Sequence, residues 1–249
     1  KKIKERRQLM AELGFVMPGV TSTVIHPRGV ATGRGDSWSQ NVIIDGVDSR
    51  EECCNRSNGT HSQEAIAEFK IINNNFPAEY GRSTSSILTA ITKSGTNAVH
   101  GTGFYLFRNQ NLDKPDFFTQ IAEPLKYYQT GGSVGGPIRK NQAFFFGAVE
   151  RQFDSRTGFS TTGFKQLDSY KVPLRAWQNY ALAKVDVQFR GNQHLNAKYY
   201  YWHQDDLNGS VVSSRGVEGR LTPWSTSDRL MTNAGVAVNH TWAGQKRLN

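Results

Sequence analysis

The sequence predicts an α+β region over residues 1–99, followed over residues 100–249 by antiparallel strands of an incomplete transmembrane β-barrel. Three observations predict it. The chain changes character between Gly95 and His100, with short helical and mixed-strand patterns before and long alternating strands after. Several of the later strands run 10 or more residues, longer than the ~5 to 6 usual in soluble sheets and close to the ~9 to 11 that cross a bilayer at a tilt. Each is apolar on one face only. Ala181, Ala183, Val185, Val187 and Phe189 alternate with Lys184, Asp186 and Gln188. Leu195, Ala197, Tyr199 and Tyr201 oppose Asn196, Lys198 and Gln204, and Ala234, Val236, Val238 and Trp242 oppose Asn233, Asn239 and Thr241. In a soluble sandwich such a face meets a second sheet; in an outer-membrane barrel it meets lipid while the polar face lines a lumen.

Taken in order, Leu9, Met10 and Leu13 have helical spacing within Lys4 to Leu13, and Gly14 stands where a C-terminal cap would sit. Met17 to Val20 turns the chain, Thr21 to Val24 reads as a strand, and the Gly/Ser/Arg-rich stretch Gly29 to Gln40 as a loop. Asn41 to Val47 is a short buried strand with Asp45-Gly46 as its turn. The polar loop Asp48 to Gly59 carries Cys53-Cys54. Adjacent cysteines strain the peptide between them when bonded, and His61 beside them fits no zinc spacing, so free thiols or a disulfide to another segment are expected. Thr60 and Gln63 have the spacing of a capping box for a short helix, Glu64 to Glu68, that hands over to a strand at Phe69 to Ile72.

A turn built on Asn73, Asn74, Asn75 and Pro77 leads to Tyr80-Gly81-Arg82, where the glycine serves the reversal. The strand Ile87 to Thr92 then breaks at Lys93-Ser94-Gly95-Thr96-Asn97, and alternation resumes through Phe104 to Phe107. The hairpins follow, with Arg190-Gly191-Asn192 as one turn. Tyr199 to Trp202 and Trp242 read as strand-end aromatics of an interface girdle, the alternative being ordinary cross-strand pairing.

Three features bear on chemistry. Gly131 to Lys140 lacks the Gly-Lys-Ser/Thr ending of a phosphate loop, and Pro137 removes a backbone donor, so it reads as a glycine-rich strand and its turn. The carboxylates Glu51-Glu52 and Asp205-Asp206 fall in loops or at strand ends without a matched partner, and no serine elbow or zinc-protease motif occurs. The formal charge is +9, but Lys and Arg are scattered except at Lys1 to Arg7, against nucleic-acid binding. The reading is therefore no enzyme, no cofactor and no metal. No 18-residue apolar run marks a transmembrane helix, which leaves barrel strands untouched.

Asn41 to Val47, the run from Glu68-Phe69-Lys70 to Glu79-Tyr80-Gly81-Arg82, Thr92 to Asn97, His100-Gly101, Leu112-Asp113 with Phe117-Phe118, and Gly131 to Pro137 with Phe144 to Gly147 occur in order over residues 6–155. Together they resemble TonB-dependent outer-membrane receptors, especially the Oar-like branch. The resemblance implies a plug over residues 1–99 and first barrel strands over residues 100–249, in the outer membrane of a Gram-negative-type bacterium. It implies binding and import of a bulky ligand such as an iron chelate, glycan or peptide, with outer-membrane lipid and the TonB energy-transducing complex as partners. The outward loops of the plug would offer Arg34, Arg50, Arg56, His61, Tyr80 and Arg82 as ligand-binding residues; for Tyr80 and Arg82, a packed tyrosine and a plug–barrel ion pair are equal alternatives. An outer-membrane structural or adhesion protein of the same fold, and a soluble β-sandwich binding module, are the alternative functions. With no initiator Met, no signal peptide and a turn-like end at residues 243–249, a fragment is expected, the TonB-contacting segment lying outside it.

Overall fold

The computed structural model describes residues 20–22, 30–32, 40–49, 62–73, 86–112, 125–159, 171–189, 192–211 and 226–242. The first strands are β1 (Val20–Ser22), β2 (Val30–Thr32), β3 (Gln40–Ile44), β4 (Val47–Asp48), β5 (Ile66–Asn73) and β6 (Ser86–Thr92). The long ones follow as β7 (His100–Asn109), β8 (Leu125–Arg139), β9 (Ala143–Phe159), β10 (Lys171–Phe189), β11 (Gln193–Val211) and β12 (Thr226–Trp242). β1 and β2 pair with each other, β3 to β6 form a four-stranded sheet in the order β4-β3-β6-β5, and β7 to β12 form a six-stranded antiparallel meander.

The small sheet is built like a soluble core. β3 runs parallel to β6, while β4 and β5 pair antiparallel with their neighbours. Val42, Ile44, Ile66, Ile71, Leu88 and Ala90 cluster with Phe69 against them. Central β6 buries both faces, with Ile87 at 0% exposure on one and Leu88 at 3% on the other, as a strand covered on both sides does. β3 returns into β4 through Asp45 (φ 50) and Gly46 (φ 80), consecutive left-handed residues that match the twist of a two-residue hairpin.

The six-stranded sheet is inside out. Along β10, Lys184 and Asp186 are buried while Val185 and Phe189 are exposed; along β11, Asn196, Lys198, Gln204 and Asp206 are buried while Tyr199 and Leu207 are exposed. β9 buries Glu150, Gln152 and Asp154 and exposes Val149, and the outer face of β12 exposes Leu230, Val236, Val238 and Trp242. The hairpins are asymmetric too. At one end β8 joins β9 through Lys140-Asn141-Gln142 and β10 joins β11 through residues 190–192, with Asn141 (φ 62) and Asn192 (φ 57) taking the left-handed positions. At the other end the connections are the longer segments 110–124, 160–170 and 212–225.

Three expectations are corrected. Glu64 to Glu68 is no helix: a 3-10 turn over Gln63–Ala65 passes straight into β5 at Ile66, and no α-helix occurs among the described residues, so the α component of the α+β region is not found there. Too short to nucleate a helix, the segment is captured by the sheet: Ile66 pairs with Thr92, a bulge follows before Glu68, and Lys93 N donates to Ala65 O. Asp205-Asp206 lies inside β11 rather than in a loop. Tyr199 to Trp202 sits mid-strand, and the aromatic row is elsewhere. Phe107, Tyr128, Phe153 and Trp177 are register neighbours across β7 to β10 on the outward face, their rings 5.4, 5.6 and 4.1 Å apart. Phe189 and Trp242 close the outward face at the short-turn end. From Trp177 to Phe189, at about 3.3 Å per residue and a tilt of about 45°, the strand rises roughly 28 Å, the depth of a bilayer's hydrocarbon core.

The helix expected at Lys4 to Leu13, the loop with Cys53-Cys54 and the Tyr80-Gly81-Arg82 turn lie outside the described residues.

Candidate functional site

The four-stranded sheet meets the polar face of the meander at Asp45. The Asp-Gly turn fixes the carboxylate at the tip of the β3–β4 hairpin, where Oδ1 accepts from Thr92 N (2.8 Å) and Oδ2 from Thr92 Oγ1 (2.8 Å). Lys198, from the inner face of β11, donates Nζ to Asp45 Oδ2 (2.9 Å) and to Ile44 O (3.1 Å). Its side chain is 3% exposed and that of Asp45 9%. Lys184, directly opposite Lys198 in the β10–β11 register, donates to Thr92 Oγ1 (3.3 Å) and Thr92 O (3.4 Å).

Two ammonium groups facing each other across a ladder repel, and the small sheet supplies what offsets them: one carboxylate, two carbonyls and a hydroxyl. Burial alone would push the Asp45 carboxyl up. The backbone bond from Thr92, the side-chain bonds from Lys198 and Thr92, and the Lys198 charge outweigh it and hold the carboxyl below its ordinary value.

A second polar seam lies across β8 and β9. Ser62 Oγ donates to Glu150 Oε2 (2.5 Å) and Gln129 Nε2 to Glu150 Oε1 (2.7 Å), which leaves this buried carboxylate paired on both oxygens. Glu64, next to Ser62, accepts from Thr102 Oγ1 (2.9 Å) on β7 and pairs with Lys93 Nζ at 3.5 Å.

The segment joining the two sheets is itself pinned. At Gly95 a Cβ would stand 2.2 Å from Phe145 O and 2.7 Å from Gly136 O, so only glycine lets the chain press onto the β8–β9 hairpin. Two residues on, Asn97 Nδ2 donates to Asn141 Oδ1 (2.6 Å) and Asn141 N to Asn97 Oδ1 (2.8 Å), tying the segment to the hairpin turn. Between Asp45, Gly95, Phe144, Lys184, Asp186 and His194 opens a cleft of about 570 Å³. Asp186 there accepts from Asn196 Nδ2 (2.6 Å), with His194 Nε2 3.7 Å away. No group of three or more metal-ligating side chains occurs among the described residues.

None of the residues expected to bind ligand is among those described: Arg34, Arg50, Arg56, His61, Tyr80 and Arg82 all lie outside. The groups that the structure does bring together, Asp45, Thr92, Lys184 and Lys198, were visible in sequence only as a turn, a strand end and two polar-face lysines.

Comparison with known proteins gives this arrangement its context. The family described as outer membrane beta barrel domain matches residues 91–165. The TonB-dependent transporter Oar of Myxococcus xanthus is 23% identical, over 78% of this chain and 20% of that protein, so the chain spans about a fifth of its length. Among solved structures, the outer membrane transporter YddB of Escherichia coli aligns at a TM-score of 0.63 and 13% identity over 93% of this chain and 34% of that one. The siderophore receptor PirA of Acinetobacter baumannii aligns at a TM-score of 0.51 and 16% identity over 95% of this chain and 42% of that one. The inside-out sheet, the short-turn and long-connection ends, the barrel-domain match and the Oar likeness agree: the chain is an outer-membrane β-barrel protein similar to the Oar-like TonB-dependent receptors.

Proposed function

We propose that this chain is part of a receptor that takes up a bulky ligand through a plug-gated barrel, with the plug over residues 1–99, the barrel from residue 100, and energy delivered through TonB. The observation that carries the reading is the seat of Asp45 on Lys198, with Lys184 beside it on Thr92. A plug that rearranges and returns needs contacts that water can replace. Hydrogen bonds and ion pairs can be exchanged for hydration at small net cost, whereas parting a fused apolar core exposes area at about 25 cal/mol per Å². The small sheet keeps its main apolar cluster to itself and offers the barrel wall mostly polar groups, with one small apolar contact where Ala65 packs with Phe146, Ala148 and Leu182.

Iron chelates are the first ligand class to test, with glycans and peptides after them. Arg34, Arg50, Arg56, His61, Tyr80 and Arg82 remain the proposed ligand contacts, because four arginines and a histidine suit an anionic chelate. The test is uptake of labelled ferric siderophores, oligosaccharides and peptides by cells expressing the full-length protein, with and without a functional TonB system. Uptake of one class that requires both supports the reading. Uptake of none, with the protein properly inserted, would favour the structural or adhesion role.

A further inference from the structure

We infer that the polar face of the meander, at its short-turn end, carries a site for a divalent transition-metal cation built from Asp186, His194, Asn196 and Asn239. The register assembles it. Asp186 on β10, Asn196 on β11 and Asn239 on β12 stand opposite one another in a single cross-strand row, and alternation turns all three to the same face. His194 precedes Asn196 by two residues on β11 and shares that face. All four line the cleft of about 570 Å³ beside the Asp45 turn.

Two of these donors are buried with an oxygen to spare. Asp186 and Asn196 are each 8% exposed. Asn196 Nδ2 donates to Asp186 Oδ1 (2.6 Å), whereas Asp186 Oδ2 and Asn196 Oδ1 have no hydrogen-bond partner among the described residues. Buried oxygens left in this way are costly until a proton donor or a cation meets them. His194 Nε2 lies 3.7 Å from Asp186 Oδ1, too far for a hydrogen bond. The separation suits a shared ion: two donors each about 2.1 Å from one metal, at an angle of about 110 to 120°, stand roughly 3.4 to 3.6 Å apart.

The neighbouring charges leave Asp186 short of a cation. Lys184, two residues along on the same face of β10, donates to Thr92 Oγ1 and Thr92 O. Lys198, opposite Lys184, is held by Asp45 Oδ2 and Ile44 O, and the Asp45 carboxylate offsets its charge toward the cleft. Both lysines therefore serve the small sheet, and a metal ion would give Asp186 the positive charge that they do not. Three or more His, Cys, Asp or Glu do not come together among the described residues; amide oxygens complete this set. One imidazole with carboxylate and amide oxygens favours a first-row ion such as Zn²⁺ over Ca²⁺ or Mg²⁺, which prefer oxygen alone.

The experiment uses the full-length protein in detergent, stripped with a chelator and titrated with Zn²⁺ by calorimetry, in a Cys53→Ser, Cys54→Ser background so that those thiols do not compete. Heat-modifiable migration first establishes that each variant is a closed barrel. His194→Gln and Asp186→Asn should each weaken one Zn²⁺ equivalent per chain by at least about tenfold, the scale set by losing even an outer-shell partner of a metal ligand. Excess Ca²⁺ should not displace that equivalent. Should Asp186→Asn fail to assemble, His194→Gln, at a half-exposed position, carries the same test. An absence of saturable Zn²⁺ binding, unchanged binding in His194→Gln, or ready displacement by Ca²⁺ would each overturn the assignment.

Discussion

The four-stranded sheet and the six-stranded meander are written in the same alternating code and fold with opposite faces inward. In the small sheet, Val42, Ile44, Leu88 and Ala90 face one another and polar groups remain at the rim. In the meander, Lys184, Asp186, Asn196 and Lys198 are buried and Val185, Val236 and Val238 are exposed. Period 2 fixes which residues share a face, and the surroundings decide which face is covered. The difference teaches why the join between the regions is mainly polar: most of the meander's apolar side chains are turned away from the small sheet, and only Phe146, Ala148 and Leu182 meet it, at Ala65.

The largest expected effect breaks that join. Asp45→Ala leaves Lys198 buried and facing Lys184 without its carboxylate, and should weaken docking of the small sheet by about 3–5 kcal/mol. Limited proteolysis of the assembled full-length protein should show faster cleavage before residue 99, while the barrel stays heat-modifiable. Next, Val185→Lys tests the exposed face. A charge on the lipid side near the bilayer midplane costs about 2–4 kcal/mol, so assembled barrel should fall on unheated gels, whereas unchanged assembly would remove that face from lipid.

A smaller effect sharpens the boundary between the two regions. Asn97→Ala removes two hydrogen bonds to the Asn141 turn, at about 0.5–1.5 kcal/mol each when both are exposed to water. Hydrogen exchange should speed up at residues 93–99 and leave β10 and β11 unaffected. The smallest effect at neutral pH is that of pH itself. Because the Asp45 carboxyl is held below its ordinary value, its contribution to docking is complete above the usual carboxylate range and is lost as pH falls beneath it. Proteolysis by an acid-active protease should therefore rise only under strongly acidic conditions, and Asp45→Asn should abolish that step.

Much of the fold was legible because it rests on local signals. Alternation placed the long strands, Asp45-Gly46 placed a hairpin, and Gly95 placed the break before the meander. The segment Glu64 to Glu68 misled because Ala65, Ile66 and Phe69 suit one face of a helix as well as a half-buried strand; the choice was made by Thr92 and Lys93, distant in sequence. The polar seat was illegible for the same reason. Lys198 meets a carboxylate 153 positions away, and nothing near Lys198 or Asp45 announces the other. The aromatic row belongs to four strands at once, so it exists only once their registers are set.

The parallel pairing of β3 with β6 also has a mechanical side. A pull entering the chain ahead of Gln40 would load the start of β3, while β6 is held from its far end, beyond Thr92, by the Asn97–Asn141 clamp. The five residue pairs from Gln40↔Ser86 to Ile44↔Ala90 would then bear the tension side by side. Strands drawn lengthwise past each other in this way yield together and at high force, whereas a hairpin tugged at its open end parts one rung at a time. Traction on this chain would be transmitted through the small sheet to the Asp45 seat before any of its strands came loose.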